Sequence, residues 1–218
     1  MLKRVSVHTA DEFRRRAASR LRSQPAPDCD RPELGRGDHG LDPNVDQWFP
    51  AGIKFRPAAV LVPLVDRGDD LGVLLTLRPA AMRVHAGQVS FPGGKIESHD
   101  AGPLEAALRE TREETGIDES SVEVLGFLDT YHTGTGFKIV PAVGLITGTA
   151  EIRPDPSEVD EVFEVPLSFL MDAANHRIES VMWQGRQRRY YAMPYRDRYI
   201  WGATAGILRN LFELLYAR

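Results

Sequence analysis

Three glutamates, Glu110, Glu113 and Glu114, stand at positions i, i+3 and i+4 of the stretch Pro103 to Ile117, PLEAALRETREETGI. On an α-helix that spacing sets three carboxylates side by side on one face, where they repel one another. Arg109 and Arg112 only partly interleave cations among them. A divalent cation offsets such repulsion, and Mg²⁺ or Mn²⁺ favours hard oxygen ligands of this kind. Upstream, Phe91-Pro92-Gly93-Gly94 forms a tight turn in which the glycines leave backbone carbonyls open to an approaching ion. A solvated charged face is the competing reading, since Glu105 with Arg109 and Arg109 with Glu113 have the spacing of surface ion pairs.

The stretch carries its own helix boundaries. Gly102 can cap, Pro103 suits the first helical position, and Gly116 suits a left-handed C-terminal residue. The order of parts is a glycine turn, an acidic residue six positions on, a capped helix, then Arg-Glu-x-x-Glu-Glu-x-Gly. This resembles the Nudix box, the signature of hydrolases that cleave nucleoside diphosphates linked to another moiety. Gly94, Arg109, Glu110, Glu113, Glu114, Gly116 and Ile117 match its pattern. Asp100 stands where the pattern has Glu, eight residues rather than seven separate it from Arg109, and Thr111 replaces a bulky apolar residue. The extra residue falls in the loop before the helix.

A second motif precedes the box. Leu74-Leu75-Thr76-x-Arg78, Arg83, Gly87 and Phe91-Pro92-Gly93-Gly94 resemble the pattern of Nudix enzymes acting on coenzyme A, with Pro79 at a position that pattern gives to Ser or Ala. The resemblance implies an α/β/α sandwich with a mixed sheet. It implies Mg²⁺ or Mn²⁺ held by Glu110, Glu113, Glu114 and the Gly94 carbonyl, and Arg109 orienting a carboxylate. It also implies Arg78 and Arg83 on substrate phosphates and, as the general base, either a box glutamate or one from a later loop. Glu158 and Glu161, in PDPSEVDEVFEV, are the later candidates, and a solvated acidic loop explains them equally well. The implied reaction releases adenosine 3′,5′-bisphosphate and a 4′-phosphopantetheine moiety from coenzyme A or its thioesters. ADP-ribose or NADH is the alternative substrate class, and a non-catalytic binding protein with the same fold the alternative of another kind. Retention of all three helical glutamates favours an enzyme.

Around these motifs, 218 residues with 42% hydrophobic content supply one substantial core. A net charge of −4 argues against a generic nucleic-acid binder, which needs a basic excess to neutralise phosphates. The single cysteine, Cys29, excludes an internal disulfide framework and lies in a polar stretch. With no apolar run of membrane-span length and no secretory signal core, a cytoplasmic soluble protein is expected. Residues 1 to 50 read as an N-terminal helix and irregular extension ahead of a hydrolase domain from 51 to 218. Thr9-x-x-Glu12 opens a basic helix with Phe13, Ala17 and Leu21 on its apolar side, suited to packing on its own domain or, less commonly, to a membrane or polyanion.

Ala58 to Val65 and Leu71 to Leu77 are predicted strands about a hairpin turn, followed after the box by Val122 to Thr130 and Lys138 to Ile146. A short strand Val162 to Val165 leads to a helix opened by Pro166. Arg177 to Trp183 and Arg188 to Ala192 pair as a hairpin, and a terminal helix from Ala203 to Tyr216 turns Ile207, Leu208, Leu211 and Leu215 to the sheet. His85 reads as structural. The arginines between Arg177 and Arg198 are either ligand contacts or the exposed side of that hairpin.

Overall fold

The computed structural model describes residues 7–26, 35–42, 48–49, 52–80, 87–148, 151–183 and 185–217. Strands β1 (Arg56–Asp66) and β2 (Leu71–Leu77) form an antiparallel hairpin whose turn carries Gly68 at φ +82°, with the Asp66 carboxylate accepting from the Gly68 N–H (2.8 Å). Their pairing stops at Leu64↔Val73. Into the opening come β3 (Val89–Ser90), which pairs with β2, and β4 (Gly93–Lys95), which pairs with β1. The Pro92 carbonyl accepts from the Leu61 N–H (3.0 Å), so the glycine turn is pinned inside the sheet rather than hung from its edge.

β7 (Phe137–Ile146) runs parallel to β1 over ten residue pairs and carries β5 (Val122–Phe127) and β6 (Tyr131–His132) antiparallel to it. β8 (Glu161–Pro166) closes the other side of β2. The mixed sheet buries both faces, and period-two alternation assigns its side chains. Val62, Leu64, Val73, Leu75, Val143 and Leu145 enter the larger core with α1 (Ala10–Arg20) and α4 (Gly202–Leu215). Ala59, Leu61 and Ala142 meet Ala106 and Ala107 of α2 (Pro103–Thr115) on the opposite face. The architecture is therefore an α/β/α sandwich. A second sheet, β9 (Arg177–Trp183), β10 (Arg186–Tyr195) and β11 (Arg198–Trp201), follows the short helix α3 (Leu167–Leu170) and leads into α4.

The expected elements recur with two differences at strand ends. The strand predicted from Val122 to Thr130 ends at Phe127, where pairing with β7 stops until Tyr131↔Ile139, and its register shifts between Val124 and Gly126. There Gly126, at φ +141°, brings its backbone against Arg22, and a Cβ would lie 2.7 Å from the Arg22 carbonyl oxygen. β10 extends to Tyr195, beyond the predicted Ala192, because β11 pairs with its end through Tyr195↔Arg198.

The N-terminal helix is part of the main core through Phe13 and Ala17, both fully buried. The Thr9 hydroxyl accepts from the Glu12 N–H (3.4 Å), as the cap signal predicts. The Glu12 carboxylate is taken by Arg15 and Arg16 instead of reaching back to the cap. Arg16 and Arg20 donate to the Leu215 and Leu214 carbonyls (2.9 and 2.8 Å), satisfying acceptors that the end of α4 leaves without intrahelical donors. Among the described residues no helix is long and apolar enough to cross a membrane.

Candidate metal and active site

α2 ends where its sequence signals it, with Gly116 at φ +76° and its N–H donating to the Arg112 carbonyl (2.8 Å). The absence of a side chain there lets the segment after β7 lie across the helix end, since a Cβ would meet the Arg153 backbone at 3.1 Å. Arg153 N–H donates to Thr115 O (2.7 Å) and Asp155 N–H to Glu114 O (3.2 Å). Further on, Asp160 N–H donates to Leu77 O at the end of β2 (2.9 Å). Glu158 is thus held between two anchored points, and a carboxylate oxygen each from Glu110, Glu114 and Glu158 lies within 4.8 Å of the others.

The glycine turn closes this group from the sheet side. A Cβ on Gly94 would fall 2.5–2.7 Å from the Glu110 carboxyl atoms, so the bare backbone leaves room for that carboxylate where it stands. The Gly93 N–H donates to Glu114 Oε2 (3.3 Å), and Gly93 at φ +148° packs its Cα against Ala59 and Val60 of β1. Arg78, just beyond β2, brings Nη1 to 3.8 Å from Glu114 Oε1, and its buried Nε has no hydrogen-bond partner among the described residues.

Burial is the largest influence on Glu114, pushing its pKa up to about 8 against the pull of Arg78 and the Gly93 N–H; Glu110 and Glu158 add repulsion. Glu110 is also raised, first by burial, with Arg109 opposing. A buried carboxylate facing two others and, among the described residues, one guanidinium at 3.8 Å is an arrangement that a hard cation completes. The three glutamates fit Mg²⁺ or Mn²⁺ in donor type, and a solvated surface face does not account for Glu114, which is 2% exposed.

Arg109 ties the group together. Its Nε and Nη2 donate to the two oxygens of Asp100 (2.9 and 3.1 Å), its Nη1 to Glu110 (2.9 Å) and Glu113 (3.1 Å), and Nη2 also to Lys95 O (3.3 Å). The Asp100 side chain is fully enclosed, and the bidentate Arg109 holds its pKa down to about 2. The extra residue before the helix is taken up in the turn Glu97 to Gly102, where Glu97 N–H donates to Asp100 Oδ2 (2.8 Å) and Ala101 N–H to Glu105. Thr111, at the position of a bulky apolar residue, is buried with its hydroxyl donating to Ala107 O (2.6 Å).

The remaining expected site residues lie as follows. Glu113 is half exposed and faces Arg109, outside the three-glutamate group. Glu161 pairs with Arg198 of β11, opposite Leu77 in the β2–β8 register. Arg198, which sequence reasoning left out of the site, reaches Glu161 only because the second sheet folds back, and no local signal marks it. Arg83, His85 and Cys29 lie outside the described residues.

The NUDIX domain family model matches residues 54–184. The uncharacterized Nudix hydrolase NudL of Citrobacter koseri is 43% identical over 156 residues, covering 72% of this chain and 81% of its own. That of Escherichia coli strain K12 is 40% identical over 159 residues, covering 73% and 82%. Among solved structures, an Ap4A hydrolase of C. elegans is 17% identical, with 51% of this chain and 80% of its own covered at a TM-score of 0.45. The chain belongs to the Nudix family of pyrophosphate hydrolases.

Proposed function

We propose that this enzyme cleaves the diphosphate of coenzyme A or an acyl-coenzyme A, giving adenosine 3′,5′-bisphosphate and (acyl-)4′-phosphopantetheine. The observation that carries the reading is the Glu110–Glu114–Glu158 group set against Gly93 and Gly94, with Arg78 beside Glu114. Arg78 and the glycines belong to the motif LLTLR through FPGG that resembles the coenzyme A pattern.

Glu110 and Glu114, with the Gly94 carbonyl and Glu113 within the same turn, would hold Mg²⁺ or Mn²⁺. When bound, such an ion neutralises phosphate charge and acidifies water. Arg109, fixed by Asp100, keeps the Glu110 carboxylate oriented. Arg78 and Arg83 bind phosphate oxygens of the substrate. A water oxygen forms a bond to one phosphorus while the bridging P–O bond breaks, and the bridging oxygen leaves on the other phosphate. Glu158, the exposed member of the group, accepts the water's proton and passes it to solvent. Glu161 positions the neighbouring strand end through Arg198.

A substrate panel with Mg²⁺ and with Mn²⁺, read by mass spectrometry, tests the proposal. Coenzyme A or its thioesters should turn over with kcat/KM at least roughly tenfold above ADP-ribose, about 1.4 kcal/mol of differential transition-state binding. Equal or better turnover of ADP-ribose or NADH would remove the coenzyme A assignment and leave the family intact.

A further inference from the structure

The exposed large apolar residues are not scattered. Among the described residues eight are exposed, and five of them, Ile178, Val181, Met182, Trp183 and Tyr199, belong to the small sheet, four on β9 alone. Such clustering on one strand marks a contact surface. β9 pairs with β10 through seven consecutive residues without a register shift, and its other edge carries no strand among the described residues. Of the usual protections of an edge it has only the charges of Arg177 and Glu179, with no proline, no lysine and no bulge. Ile178 and Met182, on one face of the strand, are 57% and 67% exposed, and Val181, on the other, is 46% exposed. A regular, apolar strand with an open hydrogen-bonding edge has one direct way to satisfy both properties, which is to receive another strand.

The sequence of β9, Arg177-Ile-Glu-Ser-Val-Met-Trp183, is complementary to itself when run antiparallel about Ser180. Ser180 then meets its own copy, Ile178 meets Met182, Glu179 meets Val181, and Arg177 meets Trp183. Each large apolar residue on the Ile178 face faces another. No like charges stand directly opposite, and the one end pair sets a guanidinium against an indole. Full overlap of the seven residues occurs only in this register, and it generates the two-fold, isologous contact of a closed dimer. We infer that β9 is the interface of a homodimer in which two three-stranded sheets join into one continuous six-stranded sheet. The arginines of β10 do not oppose this, because they lie a strand away from the axis on each side.

The inference is independent of the substrate assignment. Sedimentation velocity on the full chain should give a dimer at micromolar concentration, and Met182→Lys should raise its dissociation constant at least about tenfold. Because Met182 is mostly exposed, the variant should keep the wild-type far-ultraviolet spectrum. The register is tested separately by cysteine pairing in a Cys29→Ser background. Opposed residues of an antiparallel pair have Cα atoms about 4.5–5.5 Å apart, within the range a disulfide spans. Ser180→Cys should therefore cross-link to a covalent dimer on mild oxidation, while Ile178→Cys should not, since its opposite number is Met182. A monomer at roughly 100 µM would overturn the inference. So would a dimer indifferent to Met182→Lys, or cross-linking by Ile178→Cys in place of Ser180→Cys.

Discussion

α1 and α2 are both densely charged helices, and the structure treats their charges in opposite ways. On α1, Arg14 pairs with Glu123, Arg15 and Arg16 share Glu12, and Arg16 and Arg20 cap the end of α4. Every one of these cations has a local acceptor. On α2, Glu110 and Glu114 are brought together with Glu158 and partly withdrawn from water. Charges that a fold neutralises in place serve the fold. Charges held together against repulsion and burial need an additional partner, which is the physical mark of a site.

The contrast can be broken at several points. The largest expected effect is on stability from α1, where Phe13→Ala should cost about 3–5 kcal/mol in denaturant unfolding, as for a large core truncation. A loss below about 1 kcal/mol would mean that α1 is an appendage rather than core. On α2, Glu110→Gln and Glu114→Gln should each lower kcat roughly a hundredfold or more, about 3 kcal/mol, while metal-free stability stays level or rises. Folded variants with wild-type activity would return α2 to the class of solvated helices. Glu113→Gln, outside the three-glutamate group, should lose less than either in the same assay.

Arg78→Ala should raise KM several-fold more than it lowers kcat, as expected of a group that binds ground and transition states alike. An unchanged KM would make Arg78 a brace for Glu114 only.

Proton linkage separates the two kinds of carboxylate on and near α2. Asp100 sits at about 2 against an ordinary 3.8 because of Arg109, so its stabilising contribution is complete above the ordinary value and is lost as pH falls toward 2. Glu114 has the opposite sign. Its folded value of about 8 against an ordinary 4.5 stabilises the metal-free protein below 4.5, and that benefit is lost as pH rises through 8. Because a cation binds the ionised form, the melting-temperature increase on adding Mg²⁺ should be larger at pH 8 than at pH 5.5. Equal increments would disconnect Glu114 from the metal. The smallest effect belongs to α1 again: Arg20→Gln should cost about 0.5–1 kcal/mol of stability and leave kcat unchanged. A large activity loss would mean that α1 communicates with the site.

Much of this molecule is written in short-range pattern. Pro103 and Gly116 bound α2, the i, i+3, i+4 spacing sets its carboxylates on one face, and β2 appears at its predicted bounds because its apolar run is bracketed by turn residues. These are consequences of helix and strand periodicity, which neighbouring residues determine alone. Pairings between distant segments are different, because their geometry depends on how whole elements pack. Tertiary structure decided that Glu158 and not Glu161 joins the helical glutamates, since backbone bonds from Asp155 to Glu114 and from Asp160 to Leu77 suspend one and Arg198 claims the other. It also decided that Asp100 meets Arg109 despite the longer loop, and that the arginines of α1 cap a helix at the far end of the chain. In each case the residue type was visible in the sequence, while its partner was supplied by loop geometry or by packing of distant elements, where no local periodicity reaches.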